Sequence, residues 1–217
     1  MSRKKLNIRG VEPYSTLDGW YGPSFIVFFG DCNFRCWYCH NMRVVLNKTP
    51  EIEAKDVFSY ISDKKKWLAE IVLSGGEPLL QPNLDKFIDD VKKIYDFKIH
   101  LYTNGYLYEE LKEILPKVDV VSMDIKYPLE KYHEVVNCDA DTKKLFSSIE
   151  LLNKVSEDDK IVIFRTTVWK DFGVKNIEKI RNYIDGNSKY KIQNYLGKKM
   201  VSCSKDEIEL YSRYQIF

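Results

Sequence analysis

The feature that most constrains the fold of this chain is an alternation of short β-rich runs with amphipathic helical stripes. Runs rich in β-branched and aromatic residues, each bounded by turn residues, predict strands. They cover residues 24–29, 69–73, 97–102, 118–123, 160–168 and 189–195. Apolar residues at helical spacing lie between the runs, most clearly over 84–94 and 145–155, and more weakly over 53–66, 107–115 and 174–185. This alternation predicts βα units, a parallel sheet and right-handed crossovers.

The length of the chain limits how far such units can close. A complete eight-fold barrel takes about 250 residues, whereas this chain has 217 residues and supplies about six units. We therefore expect an α/β fold, a partial and open (β/α)6 barrel, in a single domain over residues 1–217. A basic tail at about 1–10 and a short helical extension at about 204–217 would flank it. A doubly wound open sheet is the alternative.

Composition excludes several classes of protein. With 44% hydrophobic and 30% charged residues the chain is not of the disordered type. The longest clean apolar run, Phe25 to Phe29, is five residues long, and a membrane span needs about 20. No apolar core follows the basic N-terminus, so we expect no secretory signal and a cytoplasmic protein. A net charge of +2 gives no argument for nucleic acid.

Polar and glycine-rich residues follow the predicted strands, at the point where each strand ends. In order along the chain these are Cys32, Cys36 and Cys39; Gly75, Gly76 and Glu77; Thr103 and Asn104; Asp124 and Lys126; Arg165 on the fifth strand; and Gln193 on the sixth. In parallel α/β folds, the carboxyl ends of the strands form the face that carries the active site. The sequence therefore predicts one functional rim.

The three clustered cysteines have the spacing C-x3-C-x2-C. Three thiolates on one loop can hold three irons of a 4Fe–4S cluster, leaving the fourth iron open to another ligand. The alternative is a structural zinc site, which would need a fourth protein ligand at a sensible spacing. Cys138 and Cys203 stand alone, and we read them as ordinary residues.

The cysteine motif and the segment Ser74 to Pro78 (SGGEP) together resemble the signature of the radical S-adenosylmethionine (SAM) enzymes. Within that superfamily the chain is most similar to the activating enzymes of glycyl-radical enzymes, particularly those of anaerobic ribonucleotide reductase. The similarity runs from about residue 11 to 195. Further segments that carry it are residues 17–22, 36–41, 81–82, 103–105, 123–126 and 164–168.

This resemblance implies a partial (β/α)6 barrel of the radical SAM type that holds a 4Fe–4S cluster on Cys32, Cys36 and Cys39. SAM would bind the open iron and be cleaved reductively to a 5′-deoxyadenosyl radical. That radical would abstract a hydrogen atom from a glycine of a partner glycyl-radical enzyme. A flavodoxin- or ferredoxin-type protein would donate the electron. No catalytic residue is implied beyond the cluster and SAM.

The resemblance also assigns roles around SAM to the strand-end residues. Gly75 and Gly76 would let the backbone approach the SAM ammonium, with Glu77 adding a charge-assisted bond; a plain tight turn is the alternative. We therefore expect Gly76→Val to damage SAM binding more than folding. Thr103 and Asn104 are either SAM-side residues or a simple turn.

The remaining candidates follow from charge and position. Asp124 and Lys126 alternate across one residue and so share a face; they would suit the charged ends of SAM, or form a surface ion pair. Arg165 lies inside an apolar strand and needs a buried partner, for which a SAM carboxylate or ribose is a candidate. Tyr38 would lie against the adenine, and Gln193 would replace a histidine that some activases place on the last strand.

Two further functions compete with the activase. One is a small-molecule radical SAM enzyme similar to 7-carboxy-7-deazaguanine synthase, and the other is a non-enzymatic metal-binding module. A short chain that leaves the barrel open suits a protein loop better than a sealed small-molecule pocket. The activase is therefore the favoured hypothesis.

Overall fold

The computed structural model describes residues 5–156 and 160–195. The chain divides into two compact units. The first unit comprises residues 1–33, 40–103 and 109–121, and the second comprises residues 34–39, 104–108 and 122–217. The predicted C-terminal extension at 204–217 lies outside the described residues, as does the start of the predicted basic tail.

The described strands form one seven-stranded sheet in which the spatial order equals the chain order. They are β1 (Ile8–Ser15), β2 (Ser24–Phe29), β3 (Glu70–Gly75), β4 (Lys98–Thr103), β5 (Val120–Asp124), β6 (Ile161–Val168) and β7 (Lys189–Asn194). This order excludes the doubly wound alternative, because such a sheet reverses its order at a switch point. The six predicted strands are all present. The strand β1 was not predicted.

In the first unit, β2 pairs in parallel with β3, and β3 pairs in parallel with β4. The unpredicted β1 pairs antiparallel with β2, with irregular register between Ile8 and Gly10 and between Glu12 and Ser15. Pro13 and Gly10 weaken its strand signal, and both are tolerated because β1 lies at the edge of the sheet. In the second unit, β6 pairs in parallel with β7.

Helices connect the strands as the apolar stripes predict. The described α-helices are α1 (Met42–Val45), α2 (Ala54–Lys64), α3 (Leu84–Tyr95), α4 (Tyr108–Ile114), α5 (His133–Val136), α6 (Thr142–Val155) and α7 (Val174–Arg181). The four-residue helices α1 and α5 were missed because they are too short to show a period. None of the helices in residues 5–156 and 160–195 is long and apolar enough to cross a membrane.

The stripe on α3 shows how the core of the first unit forms. Phe87 and Ile88 are buried, and the Phe87 ring meets the Phe29 ring of β2 edge-on at 6.3 Å between centroids. The predicted stripe ran one turn too far, because Ile94 in the last turn is 57% exposed. In the predicted stripe on α6, Leu145 is buried but Phe146 is exposed. Helix α3 therefore packs against the face of β2 that carries Phe29.

Candidate functional site

The end of β3 is joined to the end of β2 through backbone contacts in the first unit. Gly76 N–H donates to the Phe29 carbonyl at 2.8 Å, and Glu77 N–H donates to the Asp31 carbonyl at 2.9 Å. Gly75 has φ +110, a conformation that favours glycine. The segment that leads into Cys32 is therefore held directly against the Gly75-Gly76-Glu77 turn.

This packing bears on one expectation about Gly76. A Cβ on Gly76 would lie 1.7 Å from the Asp31 carbonyl oxygen, which is backbone and cannot move aside cheaply. A larger residue there would force apart the two strand ends. Because this clash disturbs the fold itself, Gly76→Val cannot test the expectation that the substitution damages SAM binding more than folding.

Glu77 and Thr103, both predicted site residues, meet in the first unit. The Glu77 side chain is fully buried, and its Oε1 accepts hydrogen bonds from the Thr103 hydroxyl at 2.8 Å and the Leu79 N–H at 3.1 Å. A buried carboxylate with neutral donors is suited to an ammonium group, because charge-assisted hydrogen bonds are the strong ones. Thr103 thus holds the Glu77 carboxylate in place.

Asn104 belongs to the second unit and makes a turn. Its Oδ1 accepts a hydrogen bond from Tyr106 N–H at 3.0 Å, and Gly105 has φ +73. Tyr102, one residue before Thr103, donates its hydroxyl to the Asp18 carbonyl at 2.7 Å and so anchors the loop between β1 and β2.

The second unit holds the loop of residues 34–39 against α5. Arg35 N–H donates to the Val136 carbonyl at 2.9 Å, and Trp37 N–H donates to the Val135 carbonyl at 3.3 Å. Cys36 is buried and Cys39 half-buried. Burial raises the pKa of the Cys36 thiol, although Lys126 acts in the opposite direction.

Tyr38 is also buried, at 7% exposure. Burial raises the pKa of its phenol, again against the influence of Lys126. The side chain therefore stays neutral and can only pack or hydrogen-bond. This is compatible with the predicted place beside an adenine, which stays a prediction.

Asp124 joins two cations of the second unit. Its Oδ1 accepts from Arg165 Nη2 at 2.7 Å and from Arg165 Nε at 2.9 Å, and its Oδ2 accepts from Lys126 Nζ at 3.2 Å. The predicted shared face of Asp124 and Lys126 is confirmed, and the partner that Arg165 required is Asp124. The group carries two positive charges and one negative charge, so it can accept an anionic group.

The electrostatics of this group favour the charged forms. Burial by itself would raise the pKa of Asp124, but Arg165 and Lys126 outweigh it and the pKa is lowered. Burial would lower the pKa of Lys126, but Asp124 outweighs it and the pKa is raised. All three side chains are therefore ionised at neutral pH.

Sequence reasoning missed Tyr132, which buttresses this group. The Tyr132 hydroxyl accepts a hydrogen bond from Lys126 N–H at 3.2 Å and donates to the Asp124 carbonyl at 3.4 Å. Tyr132 is 1% exposed. Tyr132 follows the 3-10 turn of residues 129–131 and belongs to no predicted helix or strand. Only its contacts in the tertiary structure show its role.

Gln193 lies on β7 and donates from Nε2 to the Thr167 hydroxyl at 2.8 Å. The residue of β7 in register with Arg165 is Lys191. Gln193 is thus placed two residues beyond the charged group, and its SAM role stays a prediction.

No three histidine, cysteine, aspartate or glutamate side chains in residues 5–156 and 160–195 converge as the ligands of a single metal ion do. The donor chemistry of Cys32, Cys36 and Cys39 nevertheless fits an iron–sulfur cluster, because three thiols stand on one short loop. Ligation by these three residues stays a prediction.

Comparison with known proteins decides the family. Residues 26–184 match the family model described as the radical SAM superfamily. The chain belongs to this superfamily. The radical SAM family implies a 4Fe–4S cluster and SAM, so the expected metal centre of the cysteine motif is iron–sulfur and not zinc.

Curated relatives of this radical SAM chain include proteins of two functional groups. A protein of Methanocaldococcus jannaschii named as a glycyl-radical enzyme activating enzyme is 29% identical over 195 residues, covering 88% of this chain and 80% of that protein. A pyruvate formate-lyase-activating enzyme of Clostridium pasteurianum is 34% identical over 127 residues, covering 55% and 52%. A GTP 3′,8-cyclase of Clostridium botulinum is 28% identical over 167 residues, covering 74% and 51%.

A solved structure supports the radical SAM fold. The structure of anSMEcpe with bound AdoMet superposes with a TM-score of 0.60 at 19% identity, covering 79% of this chain and 52% of that chain. At this identity the likeness shows the fold alone, and it confirms the predicted fold class.

Alanine substitution tests the ligand assignment of the cysteine motif. We expect Cys32→Ala, Cys36→Ala and Cys39→Ala each to lose the four-iron cluster and all SAM cleavage, because each thiolate would hold one iron. Iron and sulfide per chain are counted after anaerobic reconstitution. Cys138→Ala is the control and should keep both. A full four-iron cluster that still cleaves SAM in any of the three variants would contradict the assignment.

A second substitution tests the charged group. Asp124→Asn leaves Lys126 and Arg165 without their carboxylate, and we expect a loss of about 3 kcal/mol in free energy of unfolding because the group is mostly buried. The exposed Asp171→Asn is the control. Since the folded pKa of Asp124 is lowered, its stabilisation is fully present above the ordinary value of about 3.9 and is lost as pH falls through the folded value. Denaturant unfolding across pH measures this, and a difference between wild type and variant that persists in strong acid would refute it.

Proposed function

We propose that this protein is an activase that generates a glycyl radical on a partner enzyme such as anaerobic ribonucleotide reductase. The observation that carries the proposal is the similarity to the Methanocaldococcus jannaschii protein, which extends over most of both chains. The cyclase relative is matched over only half of its own length. The cofactors of the proposed reaction are a 4Fe–4S cluster on Cys32, Cys36 and Cys39, and SAM.

When bound, the cluster supplies the electron that cleaves SAM to methionine and a radical able to take a hydrogen atom from a glycine Cα. The residues of the chain position SAM for this step. Glu77, buried and held by Thr103, is the proposed partner of the SAM ammonium. Lys126 and Arg165 are the proposed partners of its anionic and hydroxyl groups, since their combined charge exceeds that of Asp124.

Tyr38 and Cys36 keep the surroundings of the proposed cluster dry. Both are 7% exposed, and the backbone of their loop is fixed by α5. Exclusion of water protects a reactive radical from side reactions. Gly75 supports the same site by allowing the turn that carries Glu77.

A substitution at Glu77 tests the SAM-binding role. Glu77→Gln keeps the size and the acceptor oxygen but removes the charge, and we expect about a 10- to 100-fold rise in the SAM dissociation constant, as for a lost charged hydrogen bond. Glu70→Gln is the matched control, because Glu70 is another fully buried carboxylate of the first unit that accepts from Tyr21 N–H at 2.8 Å. Equilibrium dialysis with SAM measures both. Equal affinities of Glu77→Gln and wild type would remove Glu77 from the site.

The activase proposal is tested on the partner itself. The reduced protein, SAM and anaerobic ribonucleotide reductase of the same cell are mixed, and the electron paramagnetic resonance spectrum is recorded. A glycyl doublet should form, with one 5′-deoxyadenosine released per radical. It should vanish when the radical glycine of the partner is replaced by alanine. Productive SAM cleavage with a small metabolite and no doublet would instead support the small-molecule alternative.

A further inference from the structure

One face of the β6–β7 pair in the second unit is lined by polar and charged residues. Arg165 of β6 is in register with Lys191 of β7, and Thr167 is in register with Gln193. Alternate residues of a strand point to the same face, and the hydrogen bond of 2.8 Å from Gln193 to Thr167 joins the two strands on this face. Lys191 and Gln193 are exposed, whereas Ile192 between them is buried on the opposite face.

Positive charge predominates along this face. Lys126 and Arg165 share the carboxylate of Asp124, Lys191 is in register with Arg165, and Lys189 precedes Lys191 by two residues on the same strand. Burial lowers the pKa of Lys191, and among the described residues the charges that act on this pKa are Arg165 and Lys189, which lower it further. An anion placed beside Lys191 would therefore be stabilised by several cations.

The described part of the chain ends beside the same face. Tyr195 N–H donates to the Val168 carbonyl at 2.8 Å, and its ring lies 5.6 Å from the half-exposed ring of Trp37 between centroids. Tyr195 is thus held by both its backbone and its side chain. Residues 196–217 continue from this point.

The continuing sequence contains three carboxylates within four positions. Residues 206–209 read Asp-Glu-Ile-Glu and include no cation, and we call them the acidic segment. Asp206 follows Tyr195 by 11 positions, which can span about 36 Å when extended. Lys191 precedes Tyr195 by four positions, or about 13 Å along a strand. The acidic segment is therefore long enough in reach, and of the right charge, to contact the cations of this face.

We propose that the acidic segment binds Lys126, Arg165 and Lys191 of its own chain when SAM is absent, and that SAM must displace it. This inference rests on the proposed function, because it takes Lys126 and Arg165 to be partners of the anionic groups of SAM. Carboxylates of the segment and of SAM form the same charge-assisted hydrogen bonds with these donors, so the two compete. Attachment through a short connection gives the segment an effective concentration on the order of 1 mM. No covalent bond is made or broken in the exchange.

Zero-length cross-linking of the reconstituted full chain tests the contact. A carbodiimide joins a carboxyl group to a lysine amine as an amide, and the water that is lost converts the reagent to a urea. Peptide mapping by mass spectrometry should find Lys191 joined to the acidic segment within one chain. The yield should fall when SAM is added, and also in about 0.5 M sodium chloride, which screens charges. Lys175, an exposed lysine of α7, is the control and should not be joined to the segment.

The affinity for SAM tests the competition. Equilibrium dialysis compares the wild type with a full-length variant in which all three carboxylates of the acidic segment are neutralised: Asp206→Asn, Glu207→Gln and Glu209→Gln. We expect the SAM dissociation constant of this variant to fall by about 3- to 10-fold, because SAM no longer has to displace the segment. The matched control neutralises three exposed carboxylates of α4, Glu109, Glu110 and Glu113, to glutamine and should leave the affinity unchanged.

Lys191→Arg keeps the charge but cannot be coupled, so it should abolish the cross-link and leave the SAM affinity unchanged. The proposal is overturned if Lys191 is not joined to the acidic segment, if the cross-link forms only between two chains, or if the neutralised variant binds SAM no more tightly than wild type. A cross-link that persists at saturating SAM would overturn the exchange and count against the proposed SAM role of Lys126 and Arg165. Failure of the activase reaction would alter none of these results, because no glycyl-radical enzyme is present.

Discussion

The contact on which the first unit depends is that between Gly76 and the Asp31 carbonyl. No side chain fits there, since a Cβ would lie 1.7 Å from the oxygen. This approach allows Glu77 N–H to bond Asp31 and brings the end of β3 against the segment before Cys32. The turn that presents the buried Glu77 and the start of the cysteine loop are therefore one backbone assembly.

In the second unit, ion pairing offsets the cost of burying charged side chains. Asp124 binds both Lys126 and Arg165, and Tyr132 fixes the backbone around them. Removing three charges from water is costly unless they are paired and hydrogen-bonded. Because the group carries one more positive than negative charge, its net charge favours an anionic ligand. The side chains that hold this part of the second unit together are thus the same ones that are proposed to bind SAM.

Much of the fold could be predicted because its signals are local. The runs that became β2 to β7 are dense in β-branched and aromatic residues, and the α3 stripe has a clear helical period. Strand β1 was not predicted because Gly10, Pro13 and several polar residues interrupt its β-rich pattern. It becomes a strand through its pairing with β2. Ile94 was assigned to the core by period alone, but its side chain is 57% exposed, and it is the neighbouring Tyr95 whose ring packs on Phe58 and Phe97.

The sequence by itself determined the chemistry of the donors: three thiols on one loop, a glycine pair before a carboxylate, and cations at the ends of strands. Tertiary structure decided which groups meet. Arg165 contacts Asp124, 41 positions away in the chain, and Thr103 contacts Glu77, 26 positions away. It also decided that Gly76 faces backbone and that Trp37 faces solvent. Local patterns report the residues available and their period, whereas partners distant in the chain are selected only when packing and burial act on the whole fold.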